Sequence, residues 1–192
     1  MTREKIKAAA LELFAQHGFA GTTLNQIAEK VGIKAPSLFS HFKGKEELFL
    51  TIFQEVNQQI VEHVRLLVSG QEEGTVAKRL ELIFRRNCQF YMENEARTRF
   101  LKQTMVTPPP FGKEAILNDF FEAEQQLSAT LTELFCQGVA EGVLSDFPVE
   151  RFLAAYYCMT DGVLMQINIY EPGQMEERIG HIWEHFWRGV KA

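Results

Sequence analysis

Cysteine is scarce: Cys88, Cys136 and Cys158 are the only three in 192 residues, odd in number and without a CxxC spacing. Neither a disulfide framework nor a zinc knuckle is indicated, and a reducing cytoplasm is the simplest home. Proline is also sparse, six in all with three consecutive, and strand-type alternation is hard to find. An all-α chain is the natural reading. The phosphate-cradling patterns GxxxxGK[ST] and GxGxxG are missing, as is GxSxG, so the sequence reads as no enzyme and calls for no cofactor. The first residues hold no apolar stretch of signal-peptide length before Glu12. The run from Phe152 to Tyr170 carries one charge, Asp161, with Thr160, Gln166 and Asn168 adding polarity. A carboxylate near a bilayer centre costs roughly 2.5–3.5 kcal/mol on insertion scales, so this run reads as a helix buried in protein, with no membrane partner.

What the sequence does have is apolar material for a core, 46% of its residues, and charge that is unevenly spread. Residues 1–48 hold seven Lys and Arg against five acids, a balance of +2, while the remainder holds 13 against 20, or −7. From Lys30 to Lys45 there are four lysines and His41 with no Asp or Glu. Such a strip attracts phosphate through counterion release.

Periodicity places the motifs. Ile6, Ala10, Leu13 and Phe14 line one helical face, Gly18 stops that helix, and Phe19 can fold back onto it. Leu24, Ile27, Ala28 and Val31 fit the i, i+3, i+4, i+7 template, and Thr23 with Gln26 forms a T-x-x-Q capping box. Gly32 ends this second helix. A third, short helix follows with Pro36 in its first turn, carrying Leu38, Phe39 and Phe42. Two short helices joined by a tight glycine turn form a helix-turn-helix. A fourth helix runs from Lys45 through Leu67 to a stop at Ser69-Gly70. At 1.5 Å per residue its roughly 24 residues span about 36 Å, enough to link two domains.

The ordered positions Thr22-Thr23-Leu24-x-x-Ile27-Ala28 and Gly32-Ile33-Lys34-x-Pro36-Ser37-Leu38-Phe39-x-His41-Phe42-x-x-Lys45-Glu46-x-Leu48 resemble the TetR/AcrR family of bacterial one-component repressors over residues 3–50. The resemblance implies a homodimer, a three-helix DNA-binding head, a connecting fourth helix, and a body whose last two helices build the dimer interface and whose ligand lowers operator affinity. Carried over by position, Thr23 would hold a phosphate, Lys34, Ala35, Pro36 and Ser37 would enter the major groove, His41 would sit on the strand backbone, and Lys45 would add charge at a helix N-terminus. Two positions depart from the family. Phe39 stands where Tyr is common, which removes a hydroxyl contact and leaves this ring as a DNA-binding candidate with a place in the core as the alternative, and Lys34 stands where a Ser or Thr cap is common. No Arg lies between Arg3 and Arg65, and the third helix has no Asn or Gln, so the usual bidentate base readers are missing. Lys34, Ser37 and Asn25 remain for direct reading, with Ala35 or Pro36 against thymine methyls and DNA shape supplying the rest.

In the body, Asn87 and Cys88 interrupt the apolar face of Phe84 and Tyr91. Together with Met105, Phe120, Phe121, Tyr156 and Met159 they are candidate lining for an unknown, lipophilic small-molecule ligand, against the plainer reading of a helix-bundle core. Asp161, Met165, Ile179, Trp183, Phe186 and Trp187 are candidates for the dimer interface. His181, Glu184 and His185 fit HxxEH, but only seven residues follow and a third ligand is lacking, so no metal is assigned. The expected organisation is a helix-turn-helix head at 1–47 and a helical ligand-binding and dimerisation domain at 48–192. The expected activity is a cytoplasmic repressor on a double-stranded inverted-repeat operator. A helical module whose main partner is a protein is the alternative, and weak salt dependence would favour it.

Overall fold

The computed structural model describes residues 2–69 and 74–192, so the predicted stop at Gly70 lies outside the described residues. Among them are eight α-helices, one 3₁₀ helix and no strand, only an isolated bridge between Leu144 and Lys191. Helix α1 (Thr2–Gly21) breaks at Gly18, whose φ of 69° and ψ of 176° turn the chain where the sequence placed its stop. Phe19 thereby stacks back on Phe14 at 6.0 Å. The buried Thr22 hydroxyl fixes the turn by donating to the carbonyls of Leu13 and Gly18, at 3.1 and 2.9 Å.

Helix α2 (Leu24–Val31) ends at Gly32, in the left-handed conformation that glycine adopts without strain. The Ile33 N–H closes the end on the Ala28 carbonyl at 2.9 Å. The third segment, Ala35–Ser40, is a 3₁₀ helix, with Ser37 N–H on Lys34 O and His41 N–H on Leu38 O. Then come α3 (Lys45–Ser69), α4 (Val76–Glu93), α5 (Glu95–Val106), α6 (Lys113–Ala140), α7 (Val149–Gln166) and α8 (Pro172–Val190).

The chain divides into two compact units, and the division is not at 47/48. One unit takes residues 2–59 with 94–121; the other takes 60–69 and 74–93 with 122–192. Helices α3 and α6 contribute to both. The first unit gains α5 because Phe100 completes an aromatic core, 4.9 Å from Phe49, 6.3 Å from Phe14 and 6.5 Å from Phe53. The Gln103 amide also donates to the Ala15 carbonyl at 3.2 Å.

The core of the second unit is built by α4, α7 and α8 around Phe84, Phe152, Tyr156 and Trp183. Phe84 stacks on Trp183 at 5.7 Å, and Phe152 meets Phe186 at 5.6 Å. At the end of α6, Gly138 lets Leu144 and Val76 approach so closely that a Cβ there would lie 2.6 Å from Leu144 Cδ1.

Candidate nucleic-acid interface

The geometry starts at Thr23. Its side-chain oxygen accepts the Gln26 N–H at 3.3 Å, and its own N–H donates to Gln26 Oε1 at 2.8 Å, so α2 begins on a complete capping box. The Thr23 hydroxyl proton also goes to Gln26 Oε1, at 2.9 Å. Asn25 is exposed on the first turn of α2.

The 3₁₀ winding decides what the third segment presents. With three residues per turn, side chains at i and i+3 eclipse, so Ala35, Leu38 and His41 form one row. Leu38 carries that row into the core, and Ala35 and His41 are half-buried. Lys34, Pro36, Ser37, Phe39 and Ser40 fall on the other rows and are exposed. Phe39, a DNA-binding candidate with the core as its alternative, is 59% exposed, while Phe42 beyond the helix end is 3% exposed. Leu38 and Phe39 are neighbours about 120° apart on the 3₁₀ helix, so with Leu38 in the core Phe39 faces out, while Phe42 returns to the core past the helix end. Lys34 caps nothing with its side chain.

The charge strip is partly consumed inside the protein. Lys30 pairs with Glu12 at 2.6 Å. The Lys45 ammonium donates to the carbonyls of Phe19 and Thr22, both at 2.7 Å, and lies over the Phe19 ring, so it points to the α1–α2 turn and not outward as its position suggested. Arg3 donates to the His41 carbonyl at 2.9 Å and lies 4.3 Å over the Phe42 ring. Lys34 and Lys43 are exposed, and among the described residues neither side chain is in an ion pair. Three contributors escaped sequence reasoning: Ser40, Arg3 and Glu47. The Glu47 carboxylate accepts the Lys43 N–H at 2.6 Å ahead of α3, and an acid at the third position of a helix was the available signal.

In the second unit the candidate ligand residues Phe84, Asn87, Cys88, Tyr91, Tyr156 and Met159 are all buried. Phe84 and Tyr156 face each other at 6.4 Å. Burial, with the Glu176 carboxylate adding to it, pushes the Cys88 thiol up to about 12, which keeps it neutral. Burial likewise raises the Tyr156 hydroxyl. Asn87 Oδ1 is buried without a hydrogen-bond partner. Met105, Phe120 and Phe121 belong to the first unit, with Met105 and Phe121 exposed and Phe120 half-buried.

The dimer candidates separate in the same way. Ile179 and Trp183 are 2% and 6% exposed within one chain, so they are core, and Phe186 and Trp187 are partly buried against that core. Asp161 and Met165 lie on an exposed face of α7 with Ala154, Ala155 and Cys158. Asp161 reaches solvent as a residue, yet partial desolvation of its carboxyl, and then the nearby Glu124 charge, hold it above the usual carboxylate range. On α8, His181, Glu184 and His185 are exposed, and Glu184 pairs with Arg188 at 2.5 Å. Among the described residues no group of three or more His, Cys, Asp or Glu is placed to hold a metal, and no helix is long and apolar enough to cross a membrane.

Comparison with known proteins agrees with this geometry. Residues 6–52 match the family model described as bacterial regulatory proteins, tetR family. The HTH-type transcriptional repressor ComR of Escherichia coli is 27% identical over 172 residues, covering 88% of this chain and 79% of that protein. The HTH-type transcriptional repressor AcnR of Corynebacterium diphtheriae is 38% identical over 92 residues, 43% of this chain and 48% of that one. Among solved structures, FadR from Bacillus subtilis in complex with stearoyl-CoA superposes with a TM-score of 0.77 at 16% identity, covering 97% of this chain and 98% of that one. The ketosteroid transcriptional regulator KstR2 of Mycobacterium tuberculosis gives 0.75 at 19%, covering 100% and 96%.

Proposed function

Since the chain belongs to the TetR family of bacterial regulatory proteins, we propose that it acts in the cytoplasm as a homodimeric repressor that leaves an inverted-repeat operator when a lipophilic ligand enters its second unit. The observation that carries this reading is the capped α2, the left-handed Gly32 and the outward rows of the 3₁₀ helix, which expose Lys34, Ser37 and Ser40 in a stretch free of acids. Lysine and hydroxyl donors at such a surface position the chain on phosphates, and groove contacts then read bases. Two copies are required because half-sites recur about 34–36 Å apart. The exposed face of α7, lined by Ala154, Ala155 and Cys158, supports a second copy, since small side chains let helices approach closely.

Ligand control follows from the continuity of α3, which belongs to both units. A ligand that fits one arrangement of the second unit better shifts α3 toward that arrangement, and only its differential affinity does so. Buried aromatics with the unpartnered Asn87 Oδ1 suit a mostly apolar molecule offering one hydrogen-bond donor. The stearoyl-CoA of the FadR structure makes long-chain acyl-CoA the first ligand to try.

The test is selection of bound fragments from a random DNA pool, followed by a salt titration and an acyl-CoA titration on the selected site. An inverted repeat is expected, with affinity falling steeply between 50 and 200 mM salt. A monomer with no preference for such repeats overturns the reading.

A further inference from the structure

Of the large apolar side chains between Leu24 and Leu50, Phe39 alone is exposed, at 59%, while Leu38 beside it is 1% exposed. A phenyl ring has no donor or acceptor, so it makes no hydrogen bond to a phosphate or a base edge. What it gains from a partner is the removal of apolar surface from water. In the major groove the apolar group that distinguishes one base from the others is the thymine C5 methyl. The 3₁₀ winding puts Pro36 in the same exposed row as Phe39, about 6 Å away along the axis. That separation is close to two base steps of about 3.4 Å on one strand.

The polar groups around this row are donors without bidentate geometry. Lys34 and Ser37 are exposed, and the Ser40 hydroxyl proton is already given to the Ser37 carbonyl at 2.7 Å. No Arg, Asn or Gln lies between Lys34 and Lys43. From these observations we infer that Phe39, with Pro36 beside it, is a specificity-determining residue that selects thymine by covering its methyl group. The inference rests on the operator reading above.

The test uses the full chain and the site selected from the random pool. Each half-site thymine is exchanged for deoxyuridine, which deletes only the methyl, and binding is measured for the native protein and for Phe39→Ala. At about 0.8 kcal/mol per buried methyl, one exchange should weaken native binding about fourfold, and the matching exchange in both half-sites about 15-fold. Phe39→Ala should lose most of the difference between thymine and uracil sites, Pro36 keeping the remainder, and Phe39→Leu should regain part of it. Installing 5-methylcytosine at the same pyrimidine should restore native affinity only in part, because the base edge is otherwise wrong. Enriched sites that tolerate uracil at every thymine, or a uracil loss unchanged in Phe39→Ala, overturn the role of Phe39 and leave the operator reading standing. A pool that yields no inverted repeat overturns both.

Discussion

The Lys45 ammonium lies 4.1 Å from the centre of the Phe19 ring and donates to the carbonyls of Phe19 and Thr22. The first residue of α3 is thereby fastened to the turn that precedes the cap of α2. A lysine that its position marks as a phosphate contact works here as a strut, joining the helix that enters both units to the segment that presents Thr23.

Lys45→Gln separates the two roles. Losing two charge-assisted hydrogen bonds and a cation–π contact should destabilise the first unit by about 2 kcal/mol. Operator affinity should fall while the slope of log K against log salt stays as in the native protein. A slope smaller by about 1 would make Lys45 a phosphate contact.

Lys34→Ala tests direct reading. Lys34 is exposed at the start of the 3₁₀ helix that carries Pro36 and Phe39, and if it meets a base the specific site should lose about 1–3 kcal/mol, with random DNA little affected. Equal losses on both DNAs, measured in parallel titrations, would assign it to phosphate.

The capped start of α2, the glycine stop at Gly32 and the kink at Gly18 were readable because each depends on neighbours within a few residues. The winding of Ala35–Ser40 was not, since the spacing of Leu38, Phe39 and Phe42 suits an α-helix and carries no mark of the i to i+3 bonds that form. Lys45 was misplaced because its partners lie 26 and 23 residues earlier. Trp183 and Ile179 form the same apolar stripe whether it covers a second chain or, as here, Phe84 and its neighbours. The docking of α5 on α1 rests on residues 88 apart, Ala15 and Gln103, which no local pattern connects.

Asp161 gives a pH dependence with a defined sign. Its carboxyl is raised above 3.8 by desolvation and then by Glu124, so the folded chain binds its proton more tightly than the unfolded one. Stability from this group is greatest below the unfolded value and falls as pH rises toward the folded one, leaving a penalty at neutral pH. Asp161→Asn should therefore raise the melting temperature at pH 7 and leave it unchanged near pH 3. A scan showing the same shift at both pH values would contradict this cause.

Gly138→Ala should destabilise by about 1–3 kcal/mol, because its new methyl would lie 2.6 Å from Leu144 Cδ1 and 3.1 Å from Val76 Cγ1. For a chain of this size that is a fall in melting temperature of about 2–12 °C, read by calorimetry.

Gly18 and Gly32 present the opposite situation. Nothing lies within 4 Å of where a Cβ would sit at either, and yet φ is positive at both. The demand there is one of handedness, not of room. L-alanine should therefore lower the melting temperature at each, through the backbone alone and with no clash to relieve.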